Sequence, residues 1–496
     1  MVNSIDSKFS ITKNFITNLI DKEKIKSPDL KVITRFPPEP NGYLHIGHLQ
    51  SIWLNYRLAK VYAGKFILRF DDTNPSTAQS DFYQSIIHDL QWLEIIPDQI
   101  TYASDYFQQL YEFAYSLIDQ SLAYVCDLSI NESKEYKGNR YNLGKESPYR
   151  NRSISDNRIL FSDMIQGKKI ATLRAKIDMS SANIDLRDPV LYRHCDHPHP
   201  RTGNTHYIYP SYAFTHPLCD ALEQIPFSIC TQEFDNQVDF YNWLIANCNT
   251  FRSKQISCSK FELEGVVISK RNIRNFIEEQ NLGSWDHPSL YTIGGLRNRG
   301  LRASDLTSFF STMTVSKQLK KLEYSIFKNH LRKALQADLP RRLAVKSPLM
   351  ITIDDMPVNS VDINCPIEQK TRTVSISNVI FIESNDFVEG SLQAGEKKLT
   401  LNGNIRLLFT PYVIQCYGVQ RDAMGNITGL LGKINDQSAQ IDANIHWVDS
   451  NAYQKLSLFK GEFLLAELGD IPARVQFVRL GYYYRNSLQW IDIIAI

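Results

Sequence analysis

Apolar positions recur along this chain in two rhythms, and the changes of rhythm divide it. The run KVITRF, residues 31–36, is short and apolar-rich and predicts a strand. In LQSIWLNYRLAKVYAG the apolar or small residues Leu49, Ile52, Trp53, Tyr56, Ala59 and Ala63 recur at helical spacing, predicting a helix with one buried face. Gly64 is placed to end it. KFILRF, 65–70, predicts a second strand. Strand, loop, helix, strand is a βαβ unit, which implies a parallel sheet and an α/β, doubly wound, Rossmann-type domain. Phe82, Ile86, Leu90 and Leu93 then mark another helix, and a further one is expected over about 105–121.

The character changes near residue 124. The segment 124–206 is rich in Arg, Lys, Asn, Ser and Tyr, and contains two strand-like runs, ATLRAKIDM and DPVLYRH. It is expected to be an inserted α/β domain that splits the sheet domain into 31–123 and 207–271, after an N-terminal extension over 1–30. In the second half, HYIYPSYAFTHPLCDALEQI predicts a strand, a loop and a helix, and FSICTQEF another strand. A helical subdomain is expected over 272–338. From 339 to 496 short alternating strands with Gly, Asn and Asp turns predict one or two β-barrels.

Composition narrows the class. With 496 residues, 43% hydrophobic and 22% charged, the chain has a soluble, multidomain balance. The formal net charge of +2 neither demands nor excludes nucleic acid, since a basic face can be offset elsewhere. No apolar run approaches the roughly 18 residues that a membrane span needs, and MVNSIDSKFSITKNF lacks an apolar signal core, so a cytoplasmic protein is expected. The eight cysteines form no CxxC pair and are expected to be reduced. RHCDHPHP, 193–200, is expected to be a polar hairpin or loop rather than a metal site, because no second ligand pair accompanies it.

The chemistry gathers at PPEPNGYLHIGH, 37–48. A loop between a strand's carboxyl end and a helix's amino end presents unpaired N–H groups and the helix dipole to an anion. His45 and His48, three apart, lie on one side of the first turn and can donate to phosphate oxygens; the plainer role is to cap the helix. Gly47 would let a flat base approach the backbone. Asp71 and Asp72 follow the second strand, where ligands of open α/β sheets bind. Downstream, VVISKRN ends an apolar run with a lysine able to swing onto a polyphosphate.

Paired, HIGH and VISKR resemble the two nucleotide-binding signatures of class I aminoacyl-tRNA synthetases. PPEPNGYLHIGH, LRFDDTNP, SPYRNR, LRAKIDM, RDPVLYR, IYPSYAFTH, DALEQI, CTQEF, VISKR and GGLRNRG run collinearly from about 30 to 345 and resemble the glutaminyl-tRNA synthetases within that class. PRRLAV is similar to that family's entry into its anticodon-binding barrels. The resemblance implies ATP-dependent ligation of L-glutamine to the 3′-terminal adenosine of tRNA(Gln) through a glutaminyl-adenylate, formed once tRNA is bound. It also implies Mg2+ accompanying the ATP, no bound structural metal, and a monomer. A glutamyl or non-discriminating enzyme shares PPEPNGYLHIGH and DDTNP, and a non-catalytic tRNA-binding paralogue is the alternative of another class.

By position, the resemblance implies ATP contacts from Glu39, Pro40, Asn41, His45, Ile46, Gly47, His48, Leu49, Gln50 and Ser51, completed by Thr231, Lys260, Phe261, Ile268, Ser269 and Lys270. His45, His48 and Lys270 are the implied catalytic groups. For glutamine it implies Asp71 on the α-ammonium, Tyr212 on the amide, Gln255 on a pocket water, and Arg35. For tRNA it implies Arg140, Tyr149, Arg150 and Arg152 in the insertion, so that Arg150→Glu would weaken tRNA binding, with Arg341 and Arg342 at the barrel entry. The chain departs from the family at Ala213, where an aspartate is usual, at Asp235 and Asn236 after CTQEF, at Lys260-Phe261, and in VISK for VMSK. Ala213 removes an anion that would orient Tyr212 or Arg35.

Overall fold

The computed structural model describes residues 9, 11–317, 320–365, 367–487 and 489–495. The chain separates into two compact units, one of Met1–Trp285, Tyr291–Gly294 and Thr307–Tyr324, the other of Asp286–Leu290, Gly295–Leu306 and Ser325–Ile496.

The first unit opens with α1 (Phe15–Lys26), started by a capping box between Asn14 and Thr17. Its Ile16 and Ile20 pack with Val32, Leu54, Leu58 and Ile229, so this N-terminal helix is part of a core. β1 (Ile33–Phe36), α2 (Ile46–Val61) and β2 (Lys65–Phe70) make the expected βαβ unit, with β1 and β2 parallel in the register Ile33↔Lys65. After α3 (Ser80–Trp92), β3 (Gln99–Tyr102) extends the sheet, parallel to β2. α2 is buried along residues 52–59 almost without interruption, where its pattern predicts one buried face. The sheet covers one side, and Phe9, α1 and Ser311 meet the other: Tyr56 packs on Phe66, Trp53 lies against Phe9 and donates to Ser311 Oγ at 3.1 Å.

α4 (Phe107–Asp119) leads into β4 (Ala123–Cys126), α5 (Ile130–Lys137), α6 (Ile154–Ile165), β5 (Thr172–Ala175), β6 (Val190–His194) and β7 (Ile208–Pro210). β4 to β7 form one antiparallel sheet in sequence order, which is why Ile208–Pro210 pairs with Tyr192–His194. The pattern places this strand with the returning sheet domain, but its ladder ties it to the insertion. Nor does the insertion own a separate core: Phe161, Leu173 and Tyr192 pack in one cluster with Leu110 and Leu117 of α4 and with Phe214, Phe240 and Leu244. The last two elements of that cluster are α7 (Tyr212–Leu222) and α8 (Val238–Asn247), which bracket β8 (Phe227–Thr231). β9 (Lys254–Cys258) runs parallel to β8, followed by β10 (Phe261–Leu263) and α9 (Lys270–Glu279).

The second unit is strand-rich from Arg341 on. A seven-stranded sheet runs in the order 443–445, 404–407, 413–421, 427–435, 348–354, 379–383, 448–449, around Ile351, Ile353, Ile414 and Trp447. A second apolar core gathers Leu464, Val475, Phe477 and Trp490.

Candidate functional site

A cleft of about 990 Å3 opens at the carboxyl ends of β1 and β2, where an open parallel sheet binds ligands. Its wall includes Glu39, His45, Gly47, His48 and Ser51 from the β1–α2 turn, Asp71 beyond β2, Tyr212 at the start of α7, Thr231 at the end of β8, and Lys260 and 262–270. Residues as far apart as 35 and 270 meet there.

At the turn, His45 is the N-cap of α2. The Gly47 N–H donates to His45 Nδ1 at 3.1 Å, and the His45 N–H donates to His48 Nδ1 at 3.2 Å. The two rings stack at 3.7 Å between centroids. With both Nδ1 atoms accepting, each neutral ring carries its proton on Nε2. Burial keeps the rings neutral, pushing His45 down to about 3 and His48 well below the usual range, and the nearby Lys270 adds to both shifts. The histidines therefore both cap the helix and present neutral Nε2–H donors. A side-chain Cβ at Gly47 would lie 2.9 Å from the His45 ring. The glycine thus makes room for the imidazole as much as for any ligand.

Lys270 is the first residue of α9, whose N-cap Ser269 accepts from the Asn272 N–H at 3.2 Å. Its ammonium donates to Asn41 Oδ1 in the turn before α2, and its chain runs where a Cβ on Gly42 would stand, 3.0 Å from Lys270 Cδ. Burial lowers the Lys270 pKa, while Glu39 partly offsets the effect. Lys260 pairs with Glu233 at 2.6 Å, so its charge is already partnered.

Asp71 accepts from Thr73 Oγ1 at 2.7 Å, and burial pushes its carboxyl up to about 6. The next helix, α3, begins only at Ser80. Asp72 points away from the cleft: it accepts from Ser104 N–H at 2.9 Å and Oγ at 2.7 Å, and is also pushed up to about 6 by burial. Its carbonyl accepts from His199 Nε2 at 2.8 Å, while His199 Nδ1 accepts from Arg201 and Thr202 N–H groups at 3.1 Å each. The RHCDHPHP segment thus begins as the end of β6, and its loop docks through His199 behind the two aspartates. Among the described residues no group of three or more His, Cys, Asp or Glu is placed to hold a metal ion.

Beneath Asp71 and Tyr212 lies a buried charge network. Arg35 on β1 donates to Asp220 Oδ1 at 3.2 Å, Ser228 Oγ at 2.7 Å and Ile229 O at 2.9 Å. Arg69 donates to Asp220 at 2.6 Å and Glu223 at 2.7 Å. Both arginines are held protonated by these carboxylates, and Asp220 is held well below the usual carboxylate range against its burial. Asp220, about two helical turns beyond Ala213 on α7, supplies the anion for Arg35, so the missing aspartate at 213 does not leave that guanidinium unheld. Tyr212 stacks on His216 at 5.1 Å and lies 5.3 Å from Phe234.

Several positions implied by the motifs lie elsewhere. Ile46, Leu49 and Phe261 are core residues, and Phe261 packs on Phe310. Gln50 faces a smaller cavity on the other side of α2. Pro40 contributes its carbonyl to Gln79 N–H at 3.0 Å. Gln255 on β9 donates to Phe234 O at 3.5 Å and stands outside the cleft wall, acting on a residue that lines it. Arg150 is spent on buried Asp188 at 2.7 Å and Glu146 at 3.1 Å, and Arg152 on Asp127 and Val125 O while stacking on Tyr149 at 4.4 Å. Arg140 is exposed; Arg341 is half-buried, and Arg342 is buried against Glu368 at 2.7 Å. Sequence reasoning passed over Arg193, Cys230, Glu233 and Phe234. FSICTQEF held three of them, but a strand pattern does not say which faces a cleft.

A family model described as "tRNA synthetases class I (E and Q), catalytic domain" matches residues 31–337, and one described as the anti-codon binding domain of the same group matches 339–435. A glutamine--tRNA ligase of Rhodopirellula baltica is 38% identical over 527 residues, covering 95% of this chain and 86% of that protein. That of Clostridioides difficile is 38% identical, covering 93% and 86%, and that of Proteus mirabilis 41% identical, covering 88% and 81%.

Proposed function

Since the chain belongs to the class I tRNA synthetases of the glutamate and glutamine type, we propose that it is the glutamine enzyme and that the cleft beside α2 is its active site. The reaction is the ATP-dependent ligation of L-glutamine to tRNA(Gln), through glutaminyl-adenylate and transfer to the 2′-hydroxyl of the terminal adenosine. His45 and His48 donate from Nε2 to phosphate oxygens, and Lys270 neutralises charge moving onto the leaving pyrophosphate. Being neutral, the imidazoles polarise without adding a proton to the leaving group. Asp71 takes the α-ammonium, and the Tyr212 hydroxyl meets the side-chain amide. Positioning carries the chemistry, and no strong general base is required. Mg2+ enters with ATP as part of that substrate. Arg140 and Arg341 meet tRNA phosphates, and the enzyme works as a monomer in the cytoplasm.

The observation that most favours glutamine over glutamate is the charge balance below Tyr212. Arg35 and Arg69 are matched by Asp220 and Glu223. Neither of these two buried guanidinium groups is left over for a substrate carboxylate, Arg193 of the cleft wall being exposed to water, and a buried mispaired charge is rejected far more strongly than a missing methylene. The deciding experiment offers labelled glutamine and glutamate separately, with purified tRNA, and compares kcat/KM. Glutamine is expected to win by orders of magnitude; preference for glutamate overturns the assignment.

A further inference from the structure

Five arginines are buried among the described residues: Arg35, Arg57, Arg69, Arg187 and Arg342. Four of them have their donors matched, Arg35, Arg69 and Arg342 by carboxylates and Arg187 by the carbonyls of Lys137, Asn139, Asn142 and Ser181. Arg57 is the exception. It is 7% exposed, its Nε has no hydrogen-bond partner, and the Trp53 ring lies 5.9 Å from the guanidinium carbon. Burial lowers its pKa, and no carboxylate opposes the effect. An arginine held this way keeps its charge at neutral pH but leaves its buried Nε–H without the hydrogen bond that burial calls for.

Arg57 lines a cavity of about 140 Å3 on the side of α2 away from the cleft. Gln50, Trp53, Leu54 and Arg57 follow i, i+3, i+4, i+7 spacing and so share one face of the helix. Phe310 also lines the cavity, and exposed Lys13 stands at its wall. The Trp53 indole N–H is committed to Ser311 Oγ at 3.1 Å, leaving the ring as an apolar surface. Among the described residues no Asp or Glu lines the cavity. A cavity near 150 Å3 is about large enough for a benzene ring. A half-apolar chamber of that size, with Thr12, Asn14 and Gln50 beside its two aromatic rings, one guanidinium whose Nε is unmatched and one lysine, suits a compact apolar body bearing a single anionic head.

We propose that this cavity is a second ligand site, distinct from the cleft, that takes a small organic carboxylate whose head group pairs with Arg57 and whose apolar body lies against Trp53 and Phe310. The bidentate fork of arginine suits a carboxylate, and the low-dielectric surroundings strengthen the pair.

The probe is benzoate, with benzyl alcohol as its neutral counterpart, titrated into the full chain by calorimetry. Saturable benzoate binding is expected, tighter than that of benzyl alcohol. Arg57→Gln is expected to weaken benzoate at least about tenfold, the worth of a charge-assisted hydrogen bond, while changing benzyl alcohol little. Met313→Phe, which fills the cavity from its wall and leaves Arg57 in place, is expected to abolish binding of both and keeps the test open if Arg57→Gln does not fold. Absence of saturable benzoate binding, unchanged benzoate affinity in Arg57→Gln, or unchanged binding in Met313→Phe would each overturn the site.

Discussion

Single residues in the cleft are tuned by burial more than by motif membership. Asp71 illustrates it. Its carboxyl rises to about 6, above its ordinary value near 4, so between those limits the folded apo protein holds a proton that the unfolded chain has lost. That contribution to stability is present at low pH and fades as pH rises through 6. Substrate binding has the opposite sign, because only the ionised carboxylate attracts an ammonium. The KM for glutamine is expected to rise as pH falls below about 6, approaching tenfold per unit, and Asp71→Asn should raise KM and flatten that profile. A profile unchanged in Asp71→Asn would remove the residue from the ammonium site. Lys270→Ala should lower the adenylate-forming rate, read by tRNA-dependent pyrophosphate exchange, by roughly 100-fold or more, as for loss of a preorganised charge-stabilising donor. A normal rate would dismiss the phosphate role. Gly47 and Gly42 show the steric side: each gives space to a side chain of the site itself, His45 in one case and Lys270 in the other.

At the scale of elements, buried ion networks hold the pieces that carry these residues. Asp220 on α7 ties β1 through Arg35 and β2 through Arg69, and Tyr241 of α8 donates to it at 3.2 Å. Asp220→Asn leaves buried Arg35 without its carboxylate and Arg69 with Glu223 alone. Removing one partner of a buried pair costs about 3–5 kcal/mol, so the urea midpoint should fall clearly; a midpoint equal to that of the parent would show that the network is incidental to stability. In the insertion, Asp188 accepts from Arg150, from Tyr124 Oη at 3.1 Å and from the Ile177 N–H at 2.8 Å. Arg150→Glu is therefore expected to destabilise the insertion as well as weaken tRNA binding, and it is a poor probe of the interface. Arg140→Glu, at an exposed position, separates the effects: tRNA affinity should drop, its salt dependence should lessen by about one phosphate contact, and the urea midpoint should hold. Equal affinity across salt concentrations would remove Arg140 from the interface.

At the scale of the molecule, the chain has two compact units with separate apolar cores. Chains built this way need not unfold in one step. Calorimetry is expected to resolve two transitions, of which Asp220→Asn lowers one. Glu467→Gln, which removes the partner of Arg372 at 2.6 Å in the second unit, lowers the other. A single transition displaced equally by both variants would contradict this.

The sequence by itself determined the βαβ start, the strands at 65–70 and 227–231, and the strand-rich character beyond 340, because these rest on local periodicity and turn chemistry. It also brought the HIGH turn, Asp71, Tyr212 and the VISKR lysine into one expected site, through collinear motifs. Only the tertiary structure decided which residues of each motif face the cleft. Ile46, Leu49 and Phe261 belong to motifs but lie in the core, while Cys230 and Phe234 reach the cleft wall. It also decided that Arg35 answers to a carboxylate 185 positions away, that Arg150 is internal, and that Ile208–Pro210 joins the antiparallel sheet. The reason is physical: periodicity reports which faces are apolar, but partners in charge, packing and strand pairing come from segments far apart in sequence, and only folding places them side by side.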